Sequence, residues 1–228
     1  GFVAKIDATG QWVWAVNFNT ATNNASNTSR VMGLAETFSG NLIVSGYHKG
    51  VTDFGGITEV SPDNELFLME LDRNSGATNW VTTAGGIGND DGGPVAIDSM
   101  GNIWQAGTTT GTFSVNGMTH QAVSNADTIL VKWSPSGVAQ SVIGFSSSAS
   151  EINLPEDMIV TSNDDVVVSG VFLGSMNAGN QNTLTDRGNG DAYVVKVLKS
   201  GVTDWATSAG SSANTERAYS IAETPNGA

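Results

Sequence analysis

Residues 65–72 read Glu65-Leu66-Phe67-Leu68-Met69-Glu70-Leu71-Asp72. A short apolar run like this suits a buried strand or a buried helix segment equally well. Its recurrence decides between them. Phe67-Leu68-Met69-Glu70 lines up with Phe2-Val3-Ala4-Lys5 before it, and with Ile129-Leu130-Val131-Lys132 and Tyr193-Val194-Val195-Lys196 after it, at spacings of 65, 62 and 64 residues. Each copy is followed by a glycine, Gly10, Gly76, Gly137 or Gly201, and four residues later by Trp14, Trp80, Ser141 or Trp205. A third landmark is a turn that opens a strand closing on glycine. It reads Gly40-Asn41-Leu42-Ile43-Val44-Ser45-Gly46, then Gly101-Asn102-Ile103-Trp104-Gln105-Ala106-Gly107, then Asp164-Asp165-Val166-Val167-Val168-Ser169-Gly170. Gly50, Gly111 and Gly174 each follow the closing glycine by four residues.

Internal repetition at a fixed period is the sequence mark of repeat architectures. The units fall at about 1–64, 65–126, 127–190 and 191–228 within a single segment, 1–228. One full pattern holds four short β-type runs: Arg30 to Thr37, Asn41 to Tyr47, Glu65 to Asp72 and Asn79 to Thr83. They are rich in Val, Leu, Ile and aromatic residues and are bounded by Gly, Asn, Asp and Ser, the turn formers. The expected fold is therefore all-β, a β-propeller of four-stranded antiparallel blades. At this period 228 residues hold about 3.5 blades, fewer than the 4–8 of closed propellers. A final inner strand is expected at Arg217 to Thr224, with the next strand beginning at Asn226-Gly227-Ala228; the expectation that follows is a segment of a longer ring, completed by further blades of the same chain or by a partner chain. A string of separate domains of this size is disfavoured, because units so small bury little core. The excess over an ordinary blade lies at Val51 to Asn64 and Thr112 to Ala126, which read as loops.

The motifs resemble those of the bacterial β-propeller repeat family called SBBP. Gly1-Phe2-Val3-Ala4-Lys5-Ile6-Asp7, Gly10, Trp14-Ala15, Phe54-Gly55-Gly56, Gly85-Gly86, Asp90, Val95-Ala96-Ile97-Asp98 and Gly101-Asn102-Ile103-Trp104 carry the resemblance. It covers essentially the whole chain, with the third repeat departing most, at Ser141 and Asp164-Asp165. It implies a secreted or cell-surface bacterial propeller and no particular enzymatic activity.

Composition narrows the function classes. The chain has 228 residues, no Cys, 9 basic and 22 acidic residues, and a net charge of −13. The missing Cys excludes disulfides, thiolate metal sites and a Cys nucleophile. A net negative chain without a basic cluster is repelled by nucleic acid. The longest apolar runs, such as Trp12 to Val16, fall far short of the roughly 20 residues of a membrane-spanning helix. Nucleophile-elbow, zinc-protease, Walker and strict EF-hand patterns are absent. No catalytic residue is assigned.

Binding residues are sought in the loops. Gly88-Asn89-Asp90-Asp91-Gly92-Gly93 gathers carboxylate and amide oxygens between glycines. Asn89, Asp90 and Asp91 are thus the candidate calcium ligands, although Asx-turn chemistry explains the same composition; no other cofactor is implied. Across the repeats Asp90 aligns with Ser29, Asn153 and Glu216, just ahead of each inner strand. These four are the candidate rim of a central channel, able to hydrogen-bond a ligand or to tie one blade to the next. His48 and His120 read as exposed loop residues, the tryptophan column as packing between sheets, and Trp133 as an exposed contact residue. The function expected is a non-enzymatic extracellular module contacting protein or glycan at the propeller face, adhesive or structural. The alternatives are part of a carbohydrate-active lyase or hydrolase, and a component of a filament or viral assembly.

Overall fold

A computed structural model of the chain describes residues 1–20, 27–148 and 152–224. Asn226-Gly227-Ala228, expected to begin a further strand, lies outside the described residues. The described residues form an all-β structure of antiparallel sheets. β1 (Phe2–Ile6) pairs with β2 (Trp12–Asn17), and the short β3 (Asn19–Thr20) follows. Three four-stranded meanders come next. The first is β4 (Thr28–Glu36), β5 (Leu42–Asp53), β6 (Thr58–Leu71) and β7 (Thr78–Ala84). In the second, β8 (Asp90–Ile97) and β9 (Ile103–Thr109) are separated by the hairpin β10 (Thr112–Val115)–β11 (Met118–Gln121) from β12 (Asp127–Trp133) and β13 (Ala139–Ser147). In the third, β14 (Asn153–Val160) and β15 (Val166–Phe172) are separated by the hairpin β16 (Ser175–Asn177)–β17 (Thr183–Thr185) from β18 (Asp191–Val197) and β19 (Thr203–Ala209). Among the described residues no ladder joins β1 or β2 to β18 or β19, so these sheets do not close into a ring.

The apolar residues are gathered between sheets, in three clusters. Val3 and Phe18 meet Val44, Phe67, Met69 and Leu71 between the β1–β2 pair and the first meander. Ile43, Leu66 and Leu68 meet Ile103, Ile129, Val131 and Trp133 between the first and second. Trp104, Leu130 and Phe145 meet Val166, Val168, Tyr193 and Val195 between the second and third. Strand alternation produces this directly. Leu66 and Leu68 face forward to the next sheet, while Phe67, Met69 and Leu71 face back.

The tryptophan column sits in these seams. A ring carbon of Trp14 lies 2.8 Å from where a Cβ on Gly76 would stand, and one of Trp80 lies 2.7 Å from that position on Gly137. Both glycines hold φ near +75° (72° and 76°) in the turn between the third and fourth strands of a sheet. Glycine is needed there twice, for the left-handed backbone and for room beneath the indole.

Several sequence expectations need correction. The stretches read as loops are β structure: β5 and β6 continue pairing out to Asp53 and Thr58, and Thr112–Gln121 is the β10–β11 hairpin. Each extension bonds to the chain leaving the preceding sheet, at Asn19–Asp53, Ile87–Thr112 and Ser147–Met176. Polar alternation there reflects hairpins with one wet face. Arg217 to Thr224, expected as a strand, forms no ladder with another described strand. It is held instead by Ala218 N–H donating to Gly170 O (3.3 Å) and by side-chain bonds to β14. His48 is buried on β5 and His120 lies on β11, hydrogen-bonded to Asp127 at 3.0 Å. Trp133 is fully buried, because its position faces back into the seam with the first meander.

Candidate functional site

Ser29, Asp90, Asn153 and Glu216 occupy one recurring position, and each bonds to the segment that leaves the sheet before it. The Ser29 hydroxyl donates to the Phe18 carbonyl (2.9 Å) and accepts from the Gly1 amine (2.7 Å). Asp90 Oδ2 accepts the Gly86 N–H at 2.9 Å. Asn153 Nδ2 donates to Ser147 Oγ at 2.7 Å, and its Oδ1 accepts the Thr128 N–H. The Glu216 carboxylate accepts the Ser211 N–H (3.1 Å) and hydroxyl (2.7 Å). Phe18 follows β2, Gly86 follows β7, Ser147 ends β13 and Ser211 follows β19. These side chains therefore work as latches across the sheet junctions, where backbone groups would otherwise lack partners.

One residue further on, the picture changes. Strand side chains alternate, so the next residue points to the opposite face. Arg30, Asp91, Leu154 and Arg217 converge with Met32, Tyr47, Gly92, Gly93 and Glu156 around a cleft of about 280 Å3. Its charged residues come from β4, β8, β14 and the stretch after β19, and β5 and β9 add Tyr47, Gly107 and Thr108. Each of the three strands carries a bulge at the same place, between Val31 and Gly33, Gly92 and Val95, and Pro155 and Asp157. A bulge adds an unpaired residue and re-aims its side chain. Met32 and Glu156 lie within these bulges and line the cleft.

The cleft is lined with charge of both signs. The Arg30 guanidinium stands 5.9 Å from the centre of the Tyr47 ring. Asp91 Oδ1 accepts from Asn64 Nδ2 at 2.8 Å. Arg217 Nη1 donates to Glu156 Oε1 at 2.7 Å. Burial pushes the Asp91 carboxyl above its ordinary range, against the Asn64 hydrogen bond and the Arg30 charge. Burial, followed by the Asp91 charge, raises the Tyr47 hydroxyl. Two guanidinium groups, a tyrosine and two carboxylates in so small a space can hold a polar group through charge-assisted hydrogen bonds. The cleft residues include no histidine.

Of the candidate calcium ligands, Asn89 and Asp91 both bond Asn64, and Asp90 is turned away from them. Asp90 and Asp91 are neighbours on β8 and project to opposite faces, Asp90 toward Gly86 and Asp91 toward Asn64. Asn89 donates its N–H to Thr110 Oγ1 (2.8 Å) and accepts from the Asn64 N–H (3.3 Å). Among the described residues no group of three or more His, Asp or Glu side chains is placed to hold a metal ion.

Sequence reasoning missed Arg30, Tyr47, Glu156 and Arg217. Arg30 and Arg217 were findable as the residues following two aligned latch positions. Glu156 was findable as well, two residues beyond Leu154 on β14 and so on the same face.

No family model matches the chain, and no curated protein matches it. Among solved structures it is distantly similar to a protein of unknown function from Bacteroides caccae. Identity is 10%, the match spans 90% of this chain and 73% of that one, and the TM-score is 0.38.

Proposed function

We propose that the chain is a non-enzymatic binding module of a secreted or cell-surface bacterial protein. In this reading its four-stranded meanders are propeller blades, as the SBBP-like repeats suggest, and the cleft takes a polar group of a glycan or protein partner. The observation that carries the reading is the convergence of Arg30, Asp91, Glu156 and Arg217 from four inner segments on one concave space. At about 280 Å3 it stands at the low edge of ligand sites, which span roughly 300–1,000 Å3. It fits one sugar unit or one side chain of a larger partner. The two guanidinium groups in the lining favour a carboxylate on that unit, such as a uronic acid or an acidic side chain.

A glycan array rich in uronic acids, followed by calorimetry on the hits, tests this. Arg30→Ala should weaken binding by roughly tenfold or more, as loss of a desolvated charge contact does. Ser29→Ala, outside the cleft, should leave affinity unchanged. A blank array together with blank pull-downs, or equal affinity for the Arg30 and Ser29 variants, would sink the proposal.

A further inference from the structure

The charges of the cleft are not all spent within the chain. Glu156 and Arg217 satisfy each other at 2.7 Å. Arg30 and Asp91 pair neither with each other nor with any other charged side chain among the described residues. Arg30 is exposed and stands opposite Tyr47 in the ladder between β4 and β5, with the face of that ring as its neighbour. Asp91 is half-buried on β8, which packs beside β4, and has Asn64 on Oδ1 alone.

The two groups nevertheless act on one another. Burial raises the Asp91 carboxyl, and the Arg30 charge opposes that rise. Burial also raises the Tyr47 hydroxyl, with Asp91 adding to the effect and Arg30 opposing it, so both charges reach the tyrosine between them. A half-buried carboxylate without a cation is held at a cost that an incoming cation relieves. An exposed guanidinium without an anion is free to take a carboxylate in its fork. The cleft thus offers one anchor of each sign, and the Glu156–Arg217 pair, neutral as a unit, leaves the choice of ligand charge to Arg30 and Asp91.

We propose that the cleft selects a zwitterionic sugar, a uronic acid that also carries a free amine, with its carboxylate on Arg30 and its ammonium on Asp91. This rests on the reading of the cleft as a glycan site and adds the second charge to it. A sugar fits better than an α-amino acid. In an α-amino acid both charges sit on one carbon, and a guanidinium and a carboxylate placed to take them together would also reach each other. Arg30 and Asp91 stay unpaired on separate strands, which suits charges held apart on a pyranose ring. A space of about 280 Å3 holds one such ring. A plain uronic acid would leave Asp91 covered and unpaired, and a plain amino sugar would do the same to Arg30, so each single-charge analogue forfeits a buried contact.

Three sugars that differ by one group each test this: glucuronic acid, glucosamine and glucosaminuronic acid. Titration of the parent chain, followed by backbone amide NMR shifts at low salt and pH 7, reads their affinities. Glucosaminuronic acid should bind roughly tenfold or more tighter than either of the others. Asp91→Asn should erase its advantage over glucuronic acid, while Arg30→Ala should weaken both carboxylated sugars. Asparagine keeps an acceptor for Asn64, and the comparison of sugars on the parent chain needs no variant at all. Equal affinity for glucosaminuronic and glucuronic acid, with both lost in Arg30→Ala, overturns the proposal and leaves the carboxylate reading standing. An advantage of the amine that survives Asp91→Asn overturns the role given to Asp91. Free alanine binding as tightly as glucosaminuronic acid overturns the choice of a sugar. Absence of binding by both carboxylated sugars, alone or in polymers, overturns the proposal together with the glycan reading beneath it.

Discussion

Asp90 and Asn153 hold the same latch position with different consequences. Asn153 uses both ends of its amide, whereas Asp90 has one oxygen on the Gly86 N–H and the other, Oδ1, buried with no partner. Burial pushes the Asp90 carboxyl up to about 6. A carboxyl whose folded pKa lies above its unfolded value of about 3.9 destabilises the fold as pH rises through that interval, because the native state holds the proton longer. Asp90→Asn should therefore stabilise the protein at pH 7 by about 1 kcal/mol, discounted for the part of the site water reaches, and by almost nothing near pH 4. Urea midpoints across pH check this; an equal effect at both pH values would refute it. His48 tilts the curve the other way. It is buried, its Nε2 has no hydrogen-bond partner and stands 4.0 Å from Glu65 Oε2, its Nδ1 lies 3.3 Å from Thr52 Oγ1, and burial lowers it to about 4. The unfolded chain takes up the proton from about pH 6.5, so this stability is complete above that value and is lost as pH falls toward 4. His48→Gln should lose roughly 2 kcal/mol less than the parent between pH 7 and pH 4. The two slopes oppose each other near pH 5, so each variant should unmask the other's.

At the scale of elements, the seam contact of Trp80 on Gly137 can be tested as a pair. Gly137→Ala would place a methyl 2.7 Å from the indole at a φ of 76°. The backbone strain alone is worth about 1–2 kcal/mol, and displacing the ring adds to it. Trp80→Ala removes a half-buried indole and should cost about 2–3 kcal/mol, below the usual range for a fully buried aromatic. The double variant should cost clearly less than the two added together, because the clash disappears with the ring; additivity in denaturant midpoints would show that the groups do not meet. The packing role of the tryptophan was legible in the sequence, since it recurs at one position in three of the four units, but its glycine partner was not, because the indole rests on the turn glycine of the next unit and not on the one four residues before it. The strands were legible for the same reason. The extra hairpins left a readable sign as well: Asn116-Gly117 lies between the alternating Phe113, Val115 and Met118, and both turn residues take positive φ, 49° and 75°. That is the two-residue hairpin signature. The cleft was only half legible. Alignment found the right strand ends, but the chosen residues, Ser29 and Asp90, face the junction while Arg30 and Asp91 face the cleft. Strand period fixes that alternation, but which phase faces inward is set by pairing and bulges, and neither is written locally in the chain.

At the scale of the whole molecule, no single core holds the described residues together. Each apolar cluster joins one sheet to the next, so stability is passed between neighbours as in other repeat architectures. The end seam and the inner seam should then respond differently to the same kind of damage. Phe18 is buried in the seam that holds the β1–β2 pair, with its ring 5.6 Å from Phe54 and 6.2 Å from Phe67. Phe18→Ala should cost about 3–5 kcal/mol locally, yet that loss falls on the contact that docks two strands. Hydrogen exchange should quicken across Phe2–Ile6 and Trp12–Asn17 while β15 and β18 keep their protection, and the main unfolding transition should barely move. Leu68 is buried between the first and second meanders. Leu68→Ala, at about 2–5 kcal/mol, strikes a seam with a full sheet on each side, so opening it exposes both. It should lower the main transition and speed exchange in β5, β6, β9 and β12 together. Local opening and global unfolding are separable in this way when exchange is followed strand by strand. If Phe18→Ala instead lowers protection in β15 and β18 as much as in β1 and β2, the sheets behave as one cooperative block and nearest-neighbour coupling is the wrong description.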